Sequence, residues 1–503
     1  MKDANAYQLH WIDTTSSDGP FDRSKVRRQT MQKVALRRKN QPKKPHPNSR
    51  QVPIFIHVDQ DNESQEHHKD EQTHPELEII DADGYLQSDD TIIAGLTDLH
   101  CLSRITYLPV DITYPSMPRR CKVDISDLSL LASIDVGRYT GEKLLRNPQN
   151  LVFFLGGKNW SFCRFIPFFY SRSTLVQHAT DCVLARVRSF LSPGEEWESL
   201  AISSYSKALC ILQEAINSAS QPPSADVLCA TQILGLYELL NPIRKGAWSK
   251  HAAGAASIIR LRGPDSYGSE FEKSLLMSHV GPMITEAILN NEKLFLDDPI
   301  WRTVLLSVVT DNPLEPERST MVNAIVSILI AVPGLFKDIT HAICNDDQQP
   351  LTTTLELVSR ARKSKAALRQ WYRTYFGLYV HPTNVHSVND NTFKLMVLYY
   401  ICTIYVNRLS TCIFWTDEAD IEELEEETQR CAKFIVTISK EEAYQKLPSS
   451  LLLAQKVPIA EAAVRSADEW RGDWSFEEGS SRLFKVSRKT FSHWCELFGR
   501  RTV

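Results

Sequence analysis

The sequence predicts an all-α fold, a multi-helix bundle or superhelix, preceded by a disordered N-terminal arm. Three observations predict it. From about residue 126 onward apolar residues recur at helical spacing, and few runs alternate with period two. Proline and glycine breaks cut that region into blocks of helix length. Ahead of it, charge is segregated into a basic stretch and then an acidic one, with too few apolar residues for a core. The division follows: 1–22 an opening motif segment, 23–50 a basic arm, 51–125 an acidic, mostly disordered linker, and 126–503 the helical domain.

The elements can be justified in order. Thr97 to Pro118 carries Pro109, Pro115 and Pro118 and reads as an irregular transition. Leu128 to Leu145 can hold a helix that Asn147-Pro148 ends. Trp160 to Tyr170 is densely aromatic, as expected of a core seam. Ser173–Leu191 and Glu196–Ser218 are helices closed by Ser192-Pro193-Gly194 and by Pro222-Pro223. Ser224–Leu240 and Gly246–Arg262, joined by a turn containing Asn241-Pro242, form a helical hairpin. In its second helix Trp248, Ala252, Ala255 and Ile259 share a stripe, and small residues permit close helix approach. Arg260 and Arg262 complement the dipole of the last turn, and Gly263-Pro264 stops it. Ser269–Asn290 is helical with Gly281-Pro282 kinking or splitting it. Thr320–Phe336, Leu351–Phe376, Phe393–Phe414, Glu418–Ser439 and Ile459–Trp470 complete the set, and Leu351–Phe376 sets Arg360, Arg362, Lys363, Lys365, Arg369 and Arg373 opposite its apolar stripe. No internal repeat is found.

Composition narrows the function classes. The 503 residues are 43% hydrophobic with a net charge of -4, values of an ordinary soluble protein. The 11 cysteines are dispersed with no Cys-x-x-Cys pair, which argues against a zinc ribbon, a zinc cluster or a dithiol redox site and suits a reducing compartment. The start has no apolar signal core, and the apolar runs Ala324–Phe336 and Leu395–Val406 fall short of the ~20 residues that span a bilayer, so no membrane partner is expected.

Between Arg23 and Arg50 there are 11 Lys or Arg residues and no acid. Arg27, Arg28, Arg37, Arg38, Lys39, Lys43 and Lys44 are the candidates for a nuclear-import address or for contact with nucleic-acid phosphates; a solvated arm with neither role has the same composition. Between Asp59 and Asp90 there are 12 acids and one Lys, with His57, His67, His68 and His74 around them. Nothing fixes a ligand geometry for those histidines. Leu77, Ile79, Ile80, Tyr85 and Leu86 among the acids suit a segment that folds on a partner.

The stretch from Leu236 to Pro264 carries Tyr237-Glu238, Trp248, His251, Gly254-Ala255 and Arg262-Gly263 in order, and Phe295-Leu296-Asp297-Asp298-Pro299-Ile300-Trp301 follows. That succession resembles the helical regulatory domain of fungal-specific transcription factors. The opening His10-Trp11-Ile12-Asp13, Asp22-Arg23, Val26 to Met31 and Arg37-Arg38-Lys39 look like the start of those regulators that have the helical domain without the six-cysteine zinc cluster. The resemblance is strongest from Ser224 to Trp301 and weaker over Leu128 to Phe498. It implies a nuclear regulator that binds other regulators or a small effector, as a homo- or hetero-oligomer, with Tyr237, Glu238, Trp248, His251, Gly254, Ala255, Arg262, Gly263 and Trp301 as its structural motif residues. Without the cluster, any DNA contact falls to the basic arm, which offers phosphate contacts and little base readout.

Catalytic patterns are missing: no Gly-x-Ser-x-Gly, Walker loop, Gly-x-Gly-x-x-Gly or His-Glu-x-x-His occurs. No catalytic, cofactor or metal residue is assigned, and no cofactor is expected. His251 reads as a packed histidine, and Glu238 as its partner or that of Arg262 across the hairpin. Trp248 and Trp301 read as core anchors. The competing class is a metal-dependent helical enzyme of the isoprenoid-synthase kind, which needs carboxylates lining a helical cavity. Asp297-Asp298 precedes Pro299 instead, while Glu422-Glu423 and Glu425-Glu426-Glu427 read as a solvated face. A degenerate relic without regulatory output is the third possibility.

Overall fold

The computed structural model describes residues 121–501 except 147–149, 157–159, 219–221, 242–245, 311, 313–314, 345–350, 377–388, 414–417 and 476–483. The basic arm, the acidic linker and the import candidates Arg27, Arg28, Arg37, Arg38, Lys39, Lys43 and Lys44 lie outside these residues. Among the described residues the structure is helical, and the one pairing of extended backbone is an isolated antiparallel bridge between Ile413 and Phe484.

The longer helices are α1 (Arg138–Arg146), α2 (Thr174–Leu191), α3 (Glu195–Ser218), α4 (Ala225–Leu239), α5 (Ala247–Arg262), α6 (Glu270–Leu289), α7 (Pro299–Ser307), α8 (Thr320–Leu329), α9 (Val332–Cys344), α10 (Leu351–Tyr375), α11 (Asp390–Thr411), α12 (Glu418–Lys440), α13 (Ser449–Arg465) and α14 (Arg488–Leu497). Their starts follow capping chemistry. Ser173, Ser319, Asn389 and Ser487 accept from the amide three residues on, and Ser269 with Glu272 closes a full capping box at α6. Each such cap stabilises its helix by about 1 kcal/mol.

Two groups of helices pack around one core. In the first, α2 lies against α3 and α4, α4 against α5, and α5 against α6. In the second, α11 lies against α10, α12 and α13. Helix α1 touches both α4 and α13, and α9 touches both α6 and α11. The aromatic seam is buried as expected at Trp160, Phe162, Phe165 and Tyr170, and Phe169 stacks on Phe271 of α6 at 4.2 Å between centroids. A second aromatic cluster joins α9 to the chain's last helix: Phe336 stacks on Trp494 at 5.4 Å, with Phe491 and Phe498 edge-on to Phe336. The Arg500 guanidinium lies 3.7 Å from the Phe336 centroid and donates to the Ile288 carbonyl and the Thr340 hydroxyl, while the Arg501 amide donates to the Leu289 carbonyl at 2.9 Å.

Several expectations need correction. The segment Leu128–Leu145 is not one helix: a 3-10 helix, Ile125–Ala132, capped by Asp124, precedes α1. Helix α6 runs unbroken through Gly281-Pro282. Gly281 is required for another reason, because a Cβ there would stand 1.9 Å from the Ile134 carbonyl oxygen. Thr320–Phe336 is two helices, parted at Ile330-Ala331, with Pro333 in the first turn of α9, where a missing amide costs nothing. The combined stretch Thr320–Cys344 is 25 residues with a mean hydropathy of 1.7, long and apolar enough to cross a membrane, and 56% of its most apolar window is buried inside the fold. The helix expected at Ile459 begins at Ser449 and ends at Arg465, with Trp470 in the short helix Ala467–Gly472.

Glu425 is not part of a solvated face. Glu422, Glu423 and Glu426 are exposed, but Glu425 is fully buried. It accepts from Arg408 at 2.7 Å, both side chains being 0% exposed. Arg408 also donates to the Ala463 carbonyl and stacks on Trp470 at 4.2 Å, and Gln429 donates to Glu425 at 2.8 Å. Burial pushes Arg408 down to about 10 against the opposing pull of Glu425, and pushes Glu425 upward.

Candidate functional site

The motif that stood out in the sequence lies at one end of the α4–α5 hairpin, beside α1. A cleft of about 630 Å³ opens there, walled by Arg138, Glu142 and Arg146 of α1, Glu238 and Leu239 of α4, and Trp248 of α5. Close packing makes the wall: Gly141 sits where a Cβ would approach the Leu239 carbonyl oxygen to 2.7 Å, so α1 and α4 touch backbone to backbone. Gly246 starts α5 at φ 79, a conformation that favours glycine. Arg138 is held by a bidentate contact to Glu286, at 3.0 and 2.8 Å. Arg146 is exposed at the cleft's edge.

Of the motif residues, Trp248 and Glu238 face this cleft. The others build the core beneath. Tyr237 is buried and stacks on Tyr205 of α3, with centroids 4.2 Å apart and planes at 11°. The Tyr205 hydroxyl meets His251 Nε2 at 3.1 Å. Tyr205, 46 residues from His251, carried no signal in the sequence beyond being an aromatic on a helix. Gly254 and Ala255 are buried within α5. Arg262 does not reach Glu238; it donates to Glu272 at 2.6 Å and to the Pro223 carbonyl at 2.8 Å, which ties the end of α5 to the starts of α6 and α4. Gly263 has φ +75, and Trp301, buried, packs edge-on to Phe295 at 5.0 Å. Glu238 accepts from Asn241 at 3.4 Å.

The electrostatics are those of packing. Burial alone pulls His251 down to about 4, and pulls His279 to about 4 against its bond to the Ala252 carbonyl at 2.8 Å. Both imidazoles are therefore neutral at physiological pH. Burial pushes the Tyr237 phenol to about 12 and the Cys163 thiol to about 12, and raises Cys182, Cys229 and Cys412 further, so these thiols stay protonated. Among the described residues no group of three or more His, Cys, Asp or Glu side chains could hold a metal ion. Asp297, the nearest candidate for a metal-binding pair, is taken by Arg302.

Residues 160–409 match the model of the fungal specific transcription factor domain. The chain belongs to that family. The matched region of the fungal specific transcription factor domain holds the hairpin, the Tyr205–Tyr237–His251 contact and the turn at Trp301. An uncharacterized protein of Emericella nidulans is 26% identical over 194 residues, 38% of this chain and 41% of that protein. The chain thus spans about two fifths of that relative's length. No solved structure matches.

Helices beyond residue 409 close the same core. Arg408 pairs with Glu425, and Arg500 is bonded to α6 and α9. The bundle therefore continues past the matched boundary.

Proposed function

We propose that the chain is a nuclear regulator of transcription that acts through its helical domain, 126–503, and has no zinc-cluster reader of its own. The family match over residues 160–409 carries this reading. The dispersion of the cysteines supports the second half: ten of them are free thiols, and Cys121, Cys163, Cys182, Cys229, Cys402, Cys412, Cys431 and Cys495 are buried. In this reading 1–22 and 23–50 supply the opening motif and a nuclear-import address, and 51–125 is a linker whose acidic, apolar-dotted stretch folds on a partner. Other transcriptional regulators, or a second copy of the chain, are the proposed partners, with the cleft between α1 and the α4–α5 hairpin as their docking place. Direct DNA contact, through the basic arm alone, is weak and steeply salt-dependent.

The chain acts by binding and not by catalysis. The buried histidines are neutral and hydrogen-bonded, and the buried cysteines are held as thiols, so the groups that would act as base or nucleophile are committed to packing. The test is a tagged chain followed in living cells, with and without Arg37-Arg38-Lys39, together with the described domain tethered to a foreign DNA-binding module upstream of a reporter. Nuclear accumulation that is lost with the three basic residues, and a reporter response of either sign, is the expected result. A cytoplasmic chain in both versions and a silent reporter would overturn the reading.

A further inference from the structure

We propose that the cavity at the centre of the bundle binds a small carboxylic acid with an apolar body, and that the ammonium of Lys456 receives the carboxylate. This deepens the regulator reading, on which only its biological consequence rests, by naming the class of effector and its seat.

The cavity, of about 40 Å³, is enclosed by α6, α8, α11 and α13, which contribute Ile284, Val326, Leu398 and Leu452 among others. Its polar wall is short, and nearly every group on it is already occupied. Asp135 accepts from Lys394 at 3.0 Å. Gln455 accepts from the Tyr139 amide at 3.3 Å and donates to Thr140 at 2.7 Å. The Tyr139 hydroxyl donates to the Phe498 carbonyl at 3.1 Å. Lys456 is different: among the described residues it makes no hydrogen bond and no ion pair, although it lines the same space. Burial draws its amine down to about 8, partly offset by Asp135, so at neutral pH it remains an ammonium. An ammonium in an apolar wall without a paired acceptor is unfavourable by several kcal/mol, and a carboxylate brought to it removes that cost.

The complementary ligand follows from the wall. One end must be an anion that accepts hydrogen bonds, and the rest must be aliphatic to lie against Ile284, Val326, Leu398 and Leu452. The small volume limits it to a short chain. Phosphate and sulfate esters are excluded by chemistry, since one lysine cannot replace the hydration of a multiply charged group. A route exists on one side: Tyr139 also lines an open cleft of about 620 Å³ between α1 and α13, so the phenol ring is the partition between cavity and solvent.

Hexanoate and 1-hexanol, which share a chain and differ in charge, are the probes. The purified full-length protein is melted with each, alongside the variants Lys456→Met, which removes the ammonium, and Leu398→Trp, which fills the cavity and keeps it. Wild type should gain about 3 °C at a hundredfold excess of hexanoate over its Kd. It should gain less than a third of that with 1-hexanol, and both variants should lose the hexanoate response. A wild type indifferent to hexanoate, or an equal response in Lys456→Met and wild type, overturns the proposal. If Lys456→Met does not fold, Leu398→Trp decides alone. The melting assay is blind to transcription: a silent reporter with an intact hexanoate response would refute only the regulator reading, and an active reporter without that response would refute only this one.

Discussion

Two buried cations invite comparison. Arg408, between α11, α12 and α13, is fully enclosed and has its whole donor fork engaged, with Glu425, Ser466 and the Ala463 carbonyl as acceptors and Trp470 beneath. Lys456, on α13, stands in the central cavity with no such acceptors. Both are strained downward by burial, to about 10 and about 8. The difference teaches how to separate architecture from function. A buried charge with a complete set of partners is explained by the fold that surrounds it, whereas a buried charge without them needs something from outside the chain.

Four experiments break or sharpen that contrast. The largest effect belongs to the complete pair. Replacing Glu425 by Leu leaves Arg408 charged and enclosed, and the expected loss of unfolding free energy in urea is about 4 kcal/mol. A loss below 1 kcal/mol would show that water reaches the pair and that the two sites do not differ in kind. Acid comes next, through the histidines. Their pKa of about 4 in the folded chain, set by burial, lies below the ordinary 6.5. A depressed histidine resists protonation when folded, so its contribution is whole above pH 6.5 and is lost as pH falls from 6.5 towards 4. At pH 5 each should cost about 2 kcal/mol relative to pH 7. His279→Gln, which keeps a donor for the Ala252 carbonyl, should show roughly half the wild-type loss if the two histidines dominate; an unchanged pH profile would assign the loss to other groups.

Gly281→Ala is the third. A methyl group 1.9 Å from the Ile134 carbonyl oxygen forces α6 away from the start of the domain, for an expected loss of about 2 kcal/mol. A neutral outcome would mean that the segment around Ile134 yields freely. The smallest effect carries the opposite sign. Lys456→Met should leave stability unchanged or raise it by up to about 1 kcal/mol, because the amine it removes has no partner to orphan. Lys394→Met, which abandons Asp135, should lower it instead. If the two lysine variants fall equally, the contrast drawn above fails.

The helical hairpin was legible because its limits are written in local chemistry: Ser224 and Gly246 before its helices, Gly263-Pro264 after. The dense aromatic seam and the burial of Trp301 were legible for the same reason, since size and apolarity decide them. What depends on distant neighbours was not. Gly281-Pro282 reads as a kink until the Ile134 carbonyl is placed against it, and Glu425 reads as one acid in a charged run until Arg408 faces it. Of the motif residues, Tyr237 and His251 needed Tyr205, on another helix, to acquire a role. Lys456 could have been found. Leu452, Gln455, Lys456 and Ile459 share a face at helical spacing and all line the cavity, and a lysine inside an apolar stripe is an anomaly. It was missed because the helix was begun too late, at Ile459, on the far side of Pro458.

The Arg500 clamp has a consequence for biogenesis. Its contacts join the chain's final turn to carbonyls and rings more than 150 positions upstream, at Ile288, Phe336 and Thr340. Until residues 498–501 have cleared the ribosome, α6 and α9 lack those bonds, and the hydrophobic seam around Phe336 stays open to chaperones. Premature termination by even four codons would leave that seam unsealed for good, so quality control can read the integrity of the message from this one arginine.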